Sequence, residues 1–224
     1  MEQMADDPAP SPMTEEYETF RSLNDVDLLK RAWRNEKAAP EILKFEKSLV
    51  QRIKEQIELT EQNIDAFEEN GMDPLVVSLY QMDLHRTQFL LRSYLRVRVH
   101  KIEKFVTHIS TNEETKSRLS LEEQEFVDNC DAALESHLSD TVLSKLPLNY
   151  QGRLRQSITS EEQDMVDTPR LDTFVICKAR RYLSNLDFEQ EHSSEIAEME
   201  RDLLTFACYK FIKKPFDEGK IDLI

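Results

Sequence analysis

Glycine is scarce in this chain: three in 224 residues, at Gly71, Gly152 and Gly219. A phosphate-cradling loop needs several residues without a Cβ so that backbone amides can close on the phosphates, so no GxGxxG or Walker-type loop exists and nucleotide chemistry is not expected. Cysteine is equally sparse. Cys130, Cys177 and Cys208 stand far apart without paired spacing, which fits buried thiols in a reducing compartment rather than a disulfide framework. The five histidines form no HExxH and no metal-like pairing with the cysteines, and no serine lies in a G-x-S-x-G context. No metal, cofactor or catalytic residue is therefore expected. A triad assembled from distant residues leaves no mark in one sequence, and an enzyme ranks last among the readings. No apolar run approaches the roughly 20 residues of a membrane span, and the first residues carry neither a basic nor an apolar leader region, so a soluble intracellular chain is expected. Positive charge is also in deficit. With 29 basic against 44 acidic residues the formal charge is -15, which makes free duplex DNA and anionic lipid poor partners and confines any nucleic-acid contact to a local patch.

What is present is helical patterning followed by a β-rich end. Residues 1–24 hold Pro8, Pro10 and Pro12 among acids and read as an acidic disordered tail; its rival reading is a partner-binding segment around Tyr17 and Phe20 to Leu29. A helical domain is expected over 25–147, in about four helices. Asp25 is the expected N-cap of the first, which stops before Pro40. Pro40 is expected to open the second, whose stripe of Ile42, Phe45, Leu49, Ile53, Ile57, Ile64 and Phe67 runs to Gly71. Asp73 and Pro74 start a third, expected to continue to Ile109 as a rod of about 54 Å at about 1.5 Å per residue. Its apolar stripe includes Leu75, Leu79, Met82, Leu91, Leu95, Val99, Ile102 and Val106, more surface than one small core can use. Ser120 and Glu123 form a capping box for a fourth helix that ends before Pro147. A polar, aperiodic linker over 148–170 precedes a small β-rich domain over 171–224. There "DTFVICKA" reads as a strand buried on both faces, with further strands around Ile196 to Glu200 and Leu203 to Tyr209 and a helical turn near Pro215.

The third helix carries Arg86, Arg92, Arg96, Arg98, Lys101 and Lys104 against Asp83 and Glu103, a positive rod in a negative chain. Pairing with the acids of the second helix, Glu55, Glu58, Glu61, Asp65, Glu68 and Glu69, is the preferred reading, with phosphate binding as its rival and a lipid surface behind both.

"AWRNEKAAPEIL" (32–43), "LRSYLRVRVHKIEKF" (91–105) and the terminal "GKIDLI" resemble the Sld-five family, the fourth subunit of the eukaryotic GINS complex; the resemblance covers about 25–224 and is loose at 152–167. It implies a non-catalytic structural subunit of a nuclear heterotetramer with three other GINS subunits. It implies, too, that this tetramer scaffolds the replicative helicase with the minichromosome-maintenance ring and the cell-division-cycle-forty-five protein in initiation and elongation, and that DNA is met only indirectly or weakly. The resemblance offers Trp33, Asn35, Glu36, Lys37 and Pro40 as a corner between the first two helices. Arg92, Tyr94, Arg96, Lys101, Glu103 and Phe105 are offered as packing or subunit-contact residues, and Ile221, Leu223 and Ile224 as a docked terminal strand. Two other classes stay open: a generic helical adaptor, and a single-strand nucleic-acid module using Arg92, Arg96, Arg98 and Lys101, with steeply salt-dependent affinity.

Overall fold

The computed structural model describes residues 24–157, 159, 163–184 and 198–224. The acidic tail, with Tyr17 and Phe20, lies outside them, as does most of the strand expected from Ile196. Four long helices dominate the first part: α1 (Asp25–Ala38), α2 (Lys47–Glu69), α3 (Pro74–Lys104) and, after the short α4 (Val106–Thr111) and α5 (Glu113–Ser117), α6 (Leu121–Thr141). A three-stranded antiparallel sheet follows, from β1 (Phe174–Ala179), β2 (Leu204–Cys208) and β3 (Ile221–Leu223) in the order β2-β1-β3, with α7 (Tyr209–Asp217) between the last two strands. The fold is mainly helical with a small β-rich end, as expected.

Local chemistry explains most helix ends. Asp73 accepts from Leu75 N–H at 2.9 Å, and Ser120 and Glu123 cap each other reciprocally. Helix α2 closes through Gly71 at φ 68: Gly71 N–H donates to Glu68 and Met72 N–H to Phe67, the paired bonds that a left-handed residue makes possible. Gly219, at φ 75, ends α7 the same way and turns the chain back into β3.

Several expectations fail. Asn24 rather than Asp25 takes the N-cap position of α1, and Asp25 instead binds Arg52 of α2 through both carboxylate oxygens. Helix α2 starts at Lys47, not Pro40. Residues 39–46 run outside any helix or strand, because carbonyls of that stretch are taken by side chains of α3. Helix α3 is 31 residues and breaks at Phe105, whose φ of -115 leaves helical space, so Val106 and Ile109 belong to a separate short helix. Leu75, Leu79 and Met82 are exposed rather than core; the buried face of α3 runs instead through Val77, Leu84, Leu91 and Arg98 at seven-residue steps. No ion pair joins the bases of α3 to the acids of α2 among the described residues; Gln88 to Glu61 and Gln81 to Glu68 are the polar contacts between them.

Strand β1 is buried on one face only. Val175, Cys177 and Ala179 point inward with Ala207, Tyr209, Ile212, Ile221 and Leu223, while Phe174 and Ile176 point out. Of the strand expected over Ile196 to Glu200, Met199 makes one bridge with Leu183.

Candidate functional site: a buried charge junction and an open sheet face

Three of the residues singled out in the first two motifs, Glu36, Tyr94 and Lys101, converge on Arg98. Arg98, with no exposed surface, donates from Nε and Nη2 to the two carboxylate oxygens of Glu123 at 2.8 and 2.9 Å. Its Nη1 donates to Glu36 at 2.8 Å and to the Leu43 carbonyl at 2.8 Å, and Nη2 also reaches the Arg118 carbonyl at 3.4 Å. All five guanidinium N–H groups are thus used, which a buried arginine requires. Burial alone works against its charge, but the Glu123 hydrogen bonds and the Glu36 and Glu123 carboxylates outweigh it and hold the guanidinium above its ordinary value. Lys101, one turn on, donates to the Glu36 carbonyl, to Glu36 Oε1 at 2.9 Å and to the Glu41 carbonyl at 2.8 Å. Burial pulls this ammonium below its usual value despite Glu36. Two cations and two carboxylates make the junction neutral.

Tyr94 lies one turn before Arg98, stacked on Phe45 with ring centroids 6.4 Å apart, and the guanidinium sits over both rings at 5.8 and 5.2 Å. Burial pushes the Tyr94 phenol up to about 12, so it is neutral at physiological pH. The junction reaches the β-rich end through Glu41, which accepts from Tyr209 Oη at 3.0 Å, from Lys213 and from Arg118. A second tie is Asn35, whose Oδ1 accepts the Leu223 N–H at 2.9 Å, and a third is the Arg31 and Arg180 pairing with Asp222. Asn35→Ala would leave the buried Leu223 amide without a partner and is expected to lower unfolding stability by about 1–3 kcal/mol. Denaturant titration of that variant checks it; a loss under half a kcal/mol, roughly the scatter of surface changes, would mean the bond carries nothing.

The other motif residues divide. Phe105, Ile221 and Leu223 are buried, but Ile224 is half exposed, contrary to the expectation of a fully docked ending. Trp33 is half-buried rather than enclosed, with Lys37 Nζ 5.6 Å over its ring; Pro40 lies in the bend after α1. Arg92, Arg96 and Glu103 are exposed and contribute nothing to the junction. Sequence reasoning offered Arg98 only as one base of the third helix, for the acids of the second or for nucleic acid, and Glu123 only as a helix cap, although Val77, Leu84, Leu91 and Arg98 share one seven-residue register that marks Arg98 as inward.

It also missed an open apolar face. On the outer face of the sheet Phe174, Ile176, Leu204, Phe206 and Ile224 are 47–65% exposed, and the Phe174 and Phe206 rings stack at 5.1 Å. Five large apolar side chains in one compact cluster, bordered by the Lys178–Asp202 pair, are the signature of a contact surface. A second stripe, Leu75, Leu79, Met82 and Phe89, runs along the far half of α3 at three-, four- and seven-residue steps. Among the described residues no group of three or more metal-binding side chains gathers, and no helix is long and apolar enough to cross a membrane.

Known sequences bear directly on this architecture. The model of the GINS complex protein helical bundle domain matches residues 47–142, from the first residue of α2 to just past α6, and that of the DNA replication complex GINS protein SLD5 C-terminus matches 169–224, the sheet and α7. A relative from Arabidopsis thaliana with the printed name "DNA replication complex GINS protein SLD5" is 57% identical over 209 residues, covering 93% of this chain and 95% of its own. The chain belongs to the GINS SLD5 family. SLD5 proteins of Homo sapiens and Bos taurus are each 32% identical over 210 residues, with 89% of this chain and 88% of theirs aligned. Both faces of the buried junction fall in SLD5-matched sequence at Arg98, Lys101, Glu123 and Tyr209, whereas Glu36 and Glu41 precede the matched helical segment.

Proposed function

We propose that this chain is a non-catalytic subunit of a GINS DNA replication complex, assembled with three other GINS subunits through the outer face of its sheet and the far half of α3. The observation that carries the reading is the sheet face. Leaving five large apolar side chains half in water forgoes roughly half of the about 1.5–3 kcal/mol that full burial gives each, a cost that a permanent partner removes. Membership in the SLD5 family supplies the partners, since relatives carry the GINS complex in their names. The fully paired junction supports a structural rather than a catalytic role: its charged groups and the Tyr94 hydroxyl are each satisfied by a neighbour within the chain. Finer parts of the reading extend from the resemblance in the sequence. The chain acts in the nucleus, holding the minichromosome-maintenance ring and the cell-division-cycle-forty-five protein in the replicative helicase, with DNA met only indirectly. Within the chain, 25–147 and 171–224 serve as the helical and β-rich domains.

Co-expression with the three sister subunits, followed by mass measurement by light scattering, tests the reading. One particle with one copy of each chain is expected. A monodisperse single chain that ignores the other three would overturn it.

A further inference from the structure

Arg92 and Arg96, exposed bases of the second motif, make no side-chain ion pair or hydrogen bond among the described residues. Arg92 and Arg96 stand out from α3, one turn from Leu95 and Val99, and those two residues line a groove of about 530 Å³ between α3, the start of α2 and the start of α6. Its other walls include Phe45, Val50 and Leu121, the last largely exposed, and Lys44, Lys47 and Lys54 stand along it. None of these five bases makes a side-chain ion pair or hydrogen bond among the described residues. The acids at the groove are Glu122, beside Lys47 and Lys54, and Glu123, already committed to Arg98. An apolar floor edged by three lysines, with Arg92 and Arg96 one turn away and Glu122 as the one lining acid not committed to a cation elsewhere, is unusual in a chain of charge -15.

Phosphate polymers fit the ring of charge but not the floor. Single strands are held by stacking on exposed aromatic faces, and the aromatic in the groove, Phe45, is half-buried and already covered by Arg98 and Tyr94. An acidic segment with apolar anchors fits both. The chain carries one: residues 13–23, "MTEEYETFRSL", set Met13, Tyr17 and Phe20 at i, i+4, i+7 spacing with Glu15, Glu16 and Glu18 between them. Its point of departure is fixed by Asp25, held by Arg52 on α2. The groove lies around the other side of α2, a helix about 10–12 Å across. Phe20 to Asn24 span up to about 14 Å when extended, more than that diameter, which leaves the anchors free to keep their helical spacing.

We propose that this groove is the docking site of the chain's own acidic segment, with Tyr17 and Phe20 on the Leu95, Val99 and Leu121 floor and Glu15, Glu16 and Glu18 against Lys44, Lys47 and Lys54. Docking shields the basic motif from phosphate polymers. Because the segment is tethered, its effective concentration at the groove is on the order of millimolar, so weak contacts suffice.

The test compares the full-length chain with one lacking residues 1–23, both co-purified with the sister subunits or, if none assemble, as single chains. Carbodiimide coupling, read by mass spectrometry, is expected to join Glu15, Glu16 or Glu18 to Lys44, Lys47 or Lys54. Truncation is expected to speed acetylation of those lysines roughly tenfold, with Lys145 as an unaffected control. The K47E/K54E variant, with an unchanged thermal transition, should lose the couplings. Absent couplings with equal acetylation rates would overturn the proposal. So would lysines slow to react in both forms, which would mean that another chain occupies the groove.

Discussion

Replacing Arg98 by methionine is expected to lower the unfolding free energy by about 3–5 kcal/mol, because Glu123 is left as a buried carboxylate without a cation and Glu36 keeps only Lys101. That loss is a large share of the 5–15 kcal/mol of a typical domain, so much of the variant is expected to be unfolded or aggregated. The effect belongs to the broken pairing and not to the intrinsic worth of a salt bridge, since desolvation of the ions offsets most of their attraction. A companion variant separates the two. R98M/E123Q removes one charge of each sign, keeps the Lys101–Glu36 pair, and should recover more than half of the loss in urea titrations. If R98M alone unfolds within half a kcal/mol of the native chain, the junction is not the keystone that its geometry indicates. Lys101 adds a check on sign: E36Q removes the partner of a lysine that burial already disfavours, so Lys101 should titrate at still lower pH in that variant.

Phe206→Lys is expected to abolish co-purification with sister GINS subunits while leaving the chain's own melting transition within about 2 °C. Phe206 is largely exposed, so its loss removes few intrachain contacts beyond the stack on Phe174. At the centre of an apolar interface, however, the same change removes an aromatic anchor and buries a charge. Anchors of this kind account for 2 kcal/mol or more each, so with the buried ammonium added the affinity is expected to fall by at least about a hundredfold. Full assembly of the Phe206→Lys chain would show that the sheet face is not a contact. A collapsed melting transition would show that the face is instead needed for the chain's own fold. The double variant F174S/F206K sharpens the result by removing both stacked rings.

Local signals were legible in the sequence because local groups execute them. Asp73 with Pro74, the Ser120 and Glu123 box and Gly71 each act within a few residues, and each stands where the sequence places it. The start of α2 was not legible. What keeps residues 39–46 out of a helix is Arg98 at the Leu43 carbonyl and Lys101 at the Glu41 carbonyl, partners 55 and 60 residues away. Charge composition misled for a related reason: the bases of α3 look like one surface, but Arg98 turns inward while Arg92 and Arg96 turn out. Strand β1 shows the reverse. Phe174 and Ile176 make it read as buried on both faces, and among the described residues nothing covers one of those faces.

Side-chain footprinting by hydroxyl radicals, comparing the chain alone with the chain in its co-purified complex, tests that point most directly. Phe174, Phe206, Met82 and Phe89 should all oxidise several-fold more slowly in the complex, while exposed Leu148 and Met165 stay unchanged. Equal oxidation of Phe174 and Phe206 in the two states would contradict the account, leaving the sheet face in water and the chain held, if at all, by other surfaces.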